Sequence, residues 1–167
     1  SVNAMNTDVG IWIEKNNAGL TTNVSNCNLQ CENIGVELWQ NIGSTYQYVT
    51  GNLISIGSAG NGGGKGIRVD DSNITPSDIN INGNIIDVYN AYGGIALFQG
   101  IKSRVFENIV TLHVPDVNYY GIGVFNNQSA RVQCNTVIGS SSTSGSIQRG
   151  FIFSKSSLVN FTRLAFF

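Results

Sequence analysis

A glycine followed by an apolar-x-apolar triplet recurs along this chain, and this repeat restricts the fold more than any other feature of the sequence. Successive copies are separated by 25 to 31 residues. Self-similarity with a period of about 20–50 residues is typical of repeat proteins, in which copies of one small unit stack on each other. The glycines that begin the six copies are Gly10, Gly35, Gly66, Gly94, Gly121 and Gly150.

A second motif, apolar-x-x-Asn-x-apolar, runs in phase with the first. Degenerate copies have Cys27 or Leu164 in place of the asparagine. Asparagine tolerates the left-handed backbone of a tight bend, and stacked asparagine amides can hydrogen-bond to one another. We therefore predict that these asparagines are structural and form a ladder along the repeats. The four clear copies contain Asn52, Asn84, Asn108 and Asn135.

Both motifs contain apolar residues that alternate with period two, which is typical of a β-strand with one buried face. A unit of two such strands, with a third short strand in the variable stretch, cannot bury its apolar face alone, so the repeats must stack. Parallel crossovers are right-handed in nearly all proteins. The sequence therefore predicts an all-β fold, a right-handed single-stranded parallel β-helix of about six coils with an asparagine ladder.

The alternation also predicts three columns of inward side chains, each of which takes one residue from every coil. The first column contains Ile11, Val36, Ile67, Ile95, Ile122 and Phe151. The second contains Ile13, Leu38, Val69, Leu97, Val124 and Phe153. The third contains Leu29, Ile54, Ile86, Val110, Val137 and Phe166.

The two motifs together resemble the pectin-lyase-like superfamily of right-handed parallel β-helices, and they cover nearly the whole chain. The resemblance implies the fold but no single activity, because this superfamily includes lyases, hydrolases, epimerases, phage tailspikes and adhesins. Its polygalacturonase branch has Asn-Thr-Asp, Asp-Asp and Gly-His-Gly signatures. Here Asn6-Thr7-Asp8 and Asp70-Asp71 lie two coils apart, and His113 has no flanking glycine. We therefore interpret the acidic motifs as coincidental and expect His113 to face solvent.

Composition restricts the classes of partner. The 167 residues suit one β-helix domain, 1–167, and the net charge is −1. This balance gives no electrostatic reason to bind nucleic acid or anionic lipid, and no apolar run is long enough for membrane insertion. The three cysteines are an odd number, which fits neither a disulfide framework nor a zinc site, so we expect them to be small buried residues.

No segment that could cap the β-helix is visible at either end of the sequence. An uncapped β-helix exposes core side chains and unpaired strand edges. We therefore expect the chain to be part of a longer protein or to be covered by a partner, and self-association through its ends is one such arrangement.

Side chains that alternate with the core columns should point outward, and in the glycine motif many of them are aromatic or charged. Aromatic residues in a row on a solvent face often mark a binding surface. Rings, carboxylates and a guanidinium together suit a sugar chain. The alternative is that a long loop covers these side chains. We call this surface the outer wall, and its predicted binding residues are Trp12, Glu14, Glu37, Trp39, Arg68, Asp70, Phe98 and Phe125.

The sequence leaves three functions open. We favour an extracellular β-helix segment, at the cell surface, that contacts polysaccharide or a cell-surface glycan without turnover. The second is a fragment of a polysaccharide lyase or glycoside hydrolase, for which Glu37 and Asp70 are the candidate catalytic pair. Their Cα atoms should lie about 8 Å apart, a separation that permits glycoside hydrolysis. The third is a structural spacer of an adhesin, tailspike or filament.

No cofactor or metal is predicted as a requirement. A calcium ion is the one candidate, because hard oxygen ligands from Glu37, Asp70 and Asp71 near Arg68 could hold it.

Overall fold

The computed structural model describes residues 2–14, 21–39, 46–57, 64–70, 78–89, 91–98, 102–113, 119–126, 129–139, 148–154, 159–162 and 165–167. All regular structure in these ranges is β-strand, as the period-two alternation predicts. Among these residues there is no helix long and apolar enough to cross a membrane. The strands are β1 (Asn3–Glu14), β2 (Thr22–Ser25), β3 (Asn28–Trp39), β4 (Tyr46–Thr50), β5 (Leu53–Ile56), β6 (Lys65–Asp70), β7 (Asp78–Asn82), β8 (Ile85–Tyr89), β9 (Gly93–Phe98), β10 (Lys102–Phe106), β11 (Ile109–His113), β12 (Tyr119–Phe125), β13 (Ala130–Gln133), β14 (Thr136–Gly139), β15 (Gln148–Ser154), β16 (Val159–Thr162) and β17 (Ala165–Phe166).

Each complete coil contributes strands to three faces that surround one core. Face A is the six-stranded parallel sheet β2-β4-β7-β10-β13-β16. Face B contains the first half of β3 with β5, β8, β11, β14 and β17, and face C contains the second half of β3 with β6, β9, β12 and β15. The long strand β1 pairs with β3 along both of these faces. This arrangement is a parallel β-helix, and face A supplies the third short strand that the sequence suggests.

The column has about four full turns, so the prediction of about six coils is wrong. Within the described part of face A, β4, β7, β10 and β13 have a parallel neighbour on each side, whereas β2 and β16 have a neighbour on one side. Copies of the glycine motif also occur in these incomplete outer circuits. The number of copies is therefore larger than the number of full turns. The right-handedness of the β-helix stays a prediction.

The three predicted core columns are confirmed by the strand register. Ile67, Ile95 and Ile122 are direct partners in successive strands of face C, and Ile54, Ile86 and Val110 are the equivalent partners in face B. The buried members of these columns are 0–1% exposed. Full burial of one such aliphatic side chain stabilises a fold by about 1.5–3 kcal/mol, so the columns are a major source of stability.

The repeated glycine lies at the corner between faces B and C, where the backbone of one coil touches the next. A Cβ atom on Gly66 would lie 2.7 Å from the carbonyl oxygen of Gly94, and one on Gly94 would lie 2.7 Å from that of Gly121. The same Cβ on Gly94 would lie 2.3 Å from Cγ1 of Val110 in the core. Both approaches are too close for a side chain, so this corner excludes every residue except glycine. The period of the sequence therefore follows from a steric requirement repeated in each coil.

The corner between faces A and B contains the asparagine motif, but the left-handed residue is the one before the asparagine. The residues at this position have φ between 52° and 63°. The ladder asparagines themselves are outside the left-handed region, so the expectation that they adopt it is wrong. A residue in the left-handed region reverses the chain, and the following asparagine side chain then points into the core. The residues at this position are Asn26, Gly51, Gly83, Glu107 and Cys134.

The ladder itself is confirmed. Oδ1 of Asn84 accepts hydrogen bonds from the backbone N–H of Asn52 at 3.0 Å and from its Nδ2 at 2.9 Å. Nδ2 of Asn84 in turn donates to Oδ1 of Asn108 at 2.9 Å and to the carbonyl oxygen of Val49 at 2.8 Å. The same pattern continues to Asn135. All four asparagines are at most 1% exposed, and the ladder satisfies backbone groups that would otherwise be buried without a partner.

Cys27 occupies the ladder position of the first corner, and its backbone N–H donates to Oδ1 of Asn52 at 3.0 Å. Cys27 and Cys31 are buried as expected. Cys134 is exposed, so its predicted burial is wrong. The reason is its place at a left-handed corner position, where φ is 53° and the side chain points away from the core.

We expect Asn84→Ala to destabilise the protein more than any exposed asparagine substitution. The change removes four hydrogen bonds and leaves buried groups of Asn52, Val49 and Asn108 short of a partner. Each unsatisfied buried group costs about 1–3 kcal/mol, so the free energy of unfolding should fall by about 3 kcal/mol or more. Urea denaturation followed by circular dichroism measures this. Asn23→Ala, at an exposed position of β2, is the matched control, and equal losses in both variants would contradict the ladder's role.

Gly94→Ala tests the glycine corner. We expect this variant to lose about 3 kcal/mol or more of stability or to fail to fold, because overpacking against backbone leaves no room to adjust. Gly83→Ala provides the comparison, since nothing lies within 4 Å of its Cβ position and only its φ of 62° is unfavourable. That variant should lose only about 1–2 kcal/mol. A Gly94→Ala protein as stable as Gly83→Ala in thermal denaturation would refute the steric account.

Candidate functional site

The outer wall exists as two parallel rows of side chains on the outside of face C. In the first row Trp12 is the register partner of Glu37, which is the partner of Arg68. In the second row the aligned residues are Glu14, Trp39, Asp70, Phe98 and Phe125. Because the side-chain period of a strand is two, the inward columns force these residues outward. The structure therefore brings all eight predicted wall residues onto one face.

A single arginine holds the charged centre of the outer wall. Nη1 of Arg68 lies 3.2 Å from Oε1 of Glu37, and its Nη2 lies 3.1 Å from Oδ2 of Asp70. Glu37 is the direct partner of Arg68 on the neighbouring strand, and Asp70 lies two residues further along the same strand. The side chains of Arg68 and Asp70 are 27% and 20% exposed. A guanidinium that binds two carboxylates in this way is a rigid, charge-assisted unit.

The rings of the outer wall stack along the column instead of lying flat on the sheet. The guanidinium carbon of Arg68 lies 4.9 Å from the ring centroid of Trp39 and 5.7 Å from that of Phe98. The rings of Phe98 and Phe125 stack at 5.0 Å with an interplanar angle of 15°. Trp39, Arg68, Phe98 and Phe125 therefore form one continuous stack, in which cation–π and ring–ring contacts occupy much of the ring faces.

Two residues of this site were missed by the sequence reasoning, Tyr120 and Lys65. The ring of Tyr120 meets Phe125 edge-on at 5.6 Å, and a Cβ on Gly123 would lie 2.7 Å from Tyr120 Cε2 and 2.5 Å from Phe125 Cε2. Nζ of Lys65 lies 6.0 Å from the Phe98 ring centroid. The sequence signal for Tyr120 was Gly123, which occupies an outward position of the repeat. The missing side chain at Gly123 leaves room for the rings of Tyr120 and Phe125.

Exposure differs sharply along the outer wall. Trp12 is 60% exposed and Glu14 is also exposed, whereas Glu37 is only 6% exposed. Trp39, Phe98 and Phe125 are partly buried. The register prediction for Glu37 is correct, but the expectation that its carboxylate faces water is wrong, since neighbouring groups cover it. The most accessible part of the wall is the corner formed by Trp12 and Glu14, beside the partly buried Trp39.

Burial changes the ionisation of two charged groups. Desolvation raises the pKa of Glu37 despite the nearby Arg68 cation, which acts in the opposite direction. Desolvation lowers the pKa of Lys65, and repulsion by Arg68 adds to this effect. The pKa of Tyr120 is raised, because its phenol is buried. These shifts indicate a partly dehydrated centre around Arg68.

The candidate catalytic pair is bound to one cation. Glu37 and Asp70 each contact a different terminal nitrogen of Arg68. A carboxyl with a raised pKa next to a second carboxyl is a common arrangement for glycoside hydrolysis. However, the side chain of Glu37 is 8% exposed, and a general acid must reach the glycosidic oxygen within hydrogen-bond distance. The geometry therefore favours a structural role for Glu37.

The described residues add no further ligand to the predicted calcium site. Asp71 lies outside the described residues. Among the residues that the structure describes, no group of three His, Cys, Asp or Glu side chains is close enough to hold a metal ion. Between Glu37 and Asp70, the Arg68 guanidinium occupies the position in which a cation would bind.

The other motif residues have local partners. Nε2 of His113 lies 3.0 Å from Oδ1 of Asp87, and its ring stacks on Tyr89 at 4.2 Å on the outside of face B. Thr7 Oγ1 donates to Cys31 Sγ at 3.6 Å, and Asp8 accepts a hydrogen bond from Asn33. These contacts involve none of Glu37, Arg68 and Asp70, so the hydrogen bonds of Thr7, Asp8 and His113 are separate from the charged centre.

Comparison with family models, with curated proteins and with solved structures finds no match for this chain. The parallel β-helix is therefore established by the strand pairing alone.

We expect Glu37→Gln to become more stabilising, relative to the unmodified protein, as pH rises. The folded-state pKa of Glu37 is raised, so the folded protein binds more protons than the unfolded chain between the two pKa values, and stability is lost as pH increases through that window. An amide mimics the protonated carboxyl and removes this loss. Urea denaturation at about pH 4 and pH 7.5 measures the difference.

Glu14→Gln is the matched control, since it removes one carboxylate from the exposed end of the same wall. If the stability difference between Glu37→Gln and the unmodified protein is constant or falls with pH, the carboxylate of Glu37 is not destabilised by burial.

Proposed function

We propose that this chain is a non-catalytic segment of an extracellular or cell-surface protein, and that it contacts polysaccharide through the exposed end of the outer wall. The observation that supports this most directly is the 60% exposure of Trp12, a large aromatic side chain. Trp39 lies diagonally from it on the adjacent strand, at a Cα separation of about 8 Å. Two tryptophans at this spacing can contact neighbouring units of a sugar chain.

The chemistry beside the tryptophans suits sugar hydroxyls. Glu14 is exposed next to Trp39 in the same row, and Asp70 follows one strand further along. Carboxylates accept hydrogen bonds from hydroxyl groups, and the indole N–H of a tryptophan donates one. An apolar ring face with a few polar groups around it is the usual composition of a ligand site. A neutral or partly acidic polysaccharide is the class that this corner accommodates.

We propose membership of the pectin-lyase-like superfamily as the evolutionary relationship behind this fold. The support is the combination of the Gly-Ile-x-Val and Val-x-x-Asn-x-Ile motifs with three faces and a buried asparagine ladder. Since the superfamily includes both enzymes and adhesins, this relationship does not choose between binding and cleavage.

A structural spacer is the second candidate function, and the self-contained stack of the outer wall favours it. Trp39, Phe98 and Phe125 contact Arg68 or one another. Through these contacts the rings pack against protein groups in the absence of a ligand. On this account Trp12 is an isolated exposed residue, and isolated exposed apolar side chains are common on protein surfaces.

Tryptophan fluorescence separates these two functions, because both tryptophans of the chain lie in the outer wall. We expect a saturable spectral shift with at least one member of a panel of neutral and acidic polysaccharides, measured with calcium and with a chelator. Trp12→Ala should weaken the response at least about tenfold, which corresponds to about 1.4 kcal/mol. Tyr89→Ala, which removes an exposed ring from face B, is the control and should leave the affinity unchanged.

Two results would contradict the binding proposal. One is a flat response to the whole panel from protein that circular dichroism shows to be folded. The other is a response that Trp12→Ala and Trp39→Ala leave intact. The first result would favour the spacer, and the second would place polysaccharide binding outside Trp12 and Trp39. Release of reducing ends or unsaturated products from a polysaccharide that binds would instead favour the lyase or hydrolase.

A further inference from the structure

Two arginines lie side by side on the outside of face A, away from the outer wall. Arg104 of β10 and Arg131 of β13 are direct register partners, so their Cα atoms are about 4.8 Å apart. Both side chains are exposed. Like charges directly opposite each other on neighbouring strands destabilise a sheet. Such a pair is costly in the absence of an anion between the two guanidiniums.

The surrounding charge does not compensate for this pair. Lys102 belongs to the same strand as Arg104 and adds a third cation to the surface. Its Nζ lies 3.9 Å from Oδ1 of Asp78, the one carboxylate that borders this region in the described part of the chain. Neither arginine forms an ion pair with the residues that the structure describes. Face A therefore has an excess of positive charge on a protein whose net charge is −1.

The arginines also border two hollows in the surface. One has a volume of about 180 Å³ and is lined in addition by Asn80, Lys102 and Ser129. The other has a volume of about 260 Å³ and is lined by the arginines with Phe106 and Gln133. The amide groups of Asn80 and Gln133 beside the guanidiniums are hydrogen-bond donors that can also contact a bound anion. The hollows give a bound group a place between side chains instead of a flat surface.

We infer that face A carries a second binding site, in which Arg104 and Arg131 together hold an oxyanion such as a carboxylate, sulfate or phosphate group. Guanidinium groups bind such anions through paired hydrogen bonds whose fork geometry matches two oxygen atoms. Two guanidiniums at strand spacing can share one anion, and this removes their mutual repulsion. Lys102 strengthens the local potential. The site does not depend on the outer wall, which lies on a different face.

The test is titration of the protein with sodium sulfate, inorganic phosphate and glucuronate at constant ionic strength, followed by the ¹H–¹⁵N spectra of β10 and β13. We expect saturable shifts of the amide and arginine Nε–H signals. Arg104→Gln and Arg131→Gln should each weaken binding at least about tenfold, and Arg104→Lys, which keeps the charge but loses the fork, should fall between them and the unmodified protein.

Arg149→Gln is the matched control, because it removes one exposed positive charge from face C. Saturation by glucuronate but not by the inorganic ions assigns the site to carboxylates, and the reverse assigns it to tetrahedral anions. The inference is overturned if none of the three probes saturates. It is also overturned if Arg104→Gln and Arg131→Gln bind as Arg149→Gln does. All three positions are exposed, and folding of the four variants is checked by their amide spectra.

Discussion

In this protein the buried side-chain oxygens of Asn84, Asn108 and Asn135 each accept two hydrogen bonds from the neighbouring coil. Oδ1 of Asn84 accepts hydrogen bonds from the backbone N–H and from Nδ2 of Asn52. Oδ1 of Asn108 accepts the equivalent two hydrogen bonds from Asn84. These bonds fix both the bend between faces A and B and the register of adjacent coils. A shift of one residue would leave buried donors and carbonyls without partners. Because register is fixed inside, side chains on the outside align into rows, and both proposed sites depend on that alignment.

The sequence predicted the fold well because the constraints that define it are local and recur in every coil. Glycine at the corner of faces B and C is required by contact with the next glycine carbonyl, and period-two alternation identifies the core. The left-handed position was misassigned, since asparagine suits both that conformation and the ladder. Cys134 shows the same limit, because its exposure depends on the corner and not on its apolar character.

The sequence predicted correctly that the side chains of the candidate site point outward, but it did not predict how exposed each side chain is. Alternation places Trp12 and Glu37 on the same row, yet one is 60% exposed and the other 6%. Burial of Glu37 depends on which side chains lie over it, and this is a property of three-dimensional packing. Tyr120 was missed for the same reason, because its ring gains a role only where Gly123 leaves space. The arginine pair of face A could be identified only from the register between β10 and β13, because Arg104 and Arg131 are 27 residues apart in the sequence.

The two faces illustrate different uses of arginine. Arg68 is neutralised by two carboxylates and enclosed by two rings, so it organises the outer wall and is little available to a ligand. Arg104 and Arg131 are exposed and adjacent, and they have no ion pair within the described residues. Desolvated, paired charges hold one another in a defined local arrangement, whereas adjacent like charges at a surface create a potential that attracts an anion.

The most direct test of this account is amide hydrogen exchange of the ladder, measured by NMR. The backbone N–H groups of Asn52, Asn84 and Asn108 lie at corners, outside the strands, and each donates to an asparagine side chain of the next coil. We predict that they exchange as slowly as the core amides of β8 and β11. Exchange at the rate of unprotected peptide amides, while those core amides remain protected, would show that the ladder does not hold the coils in register.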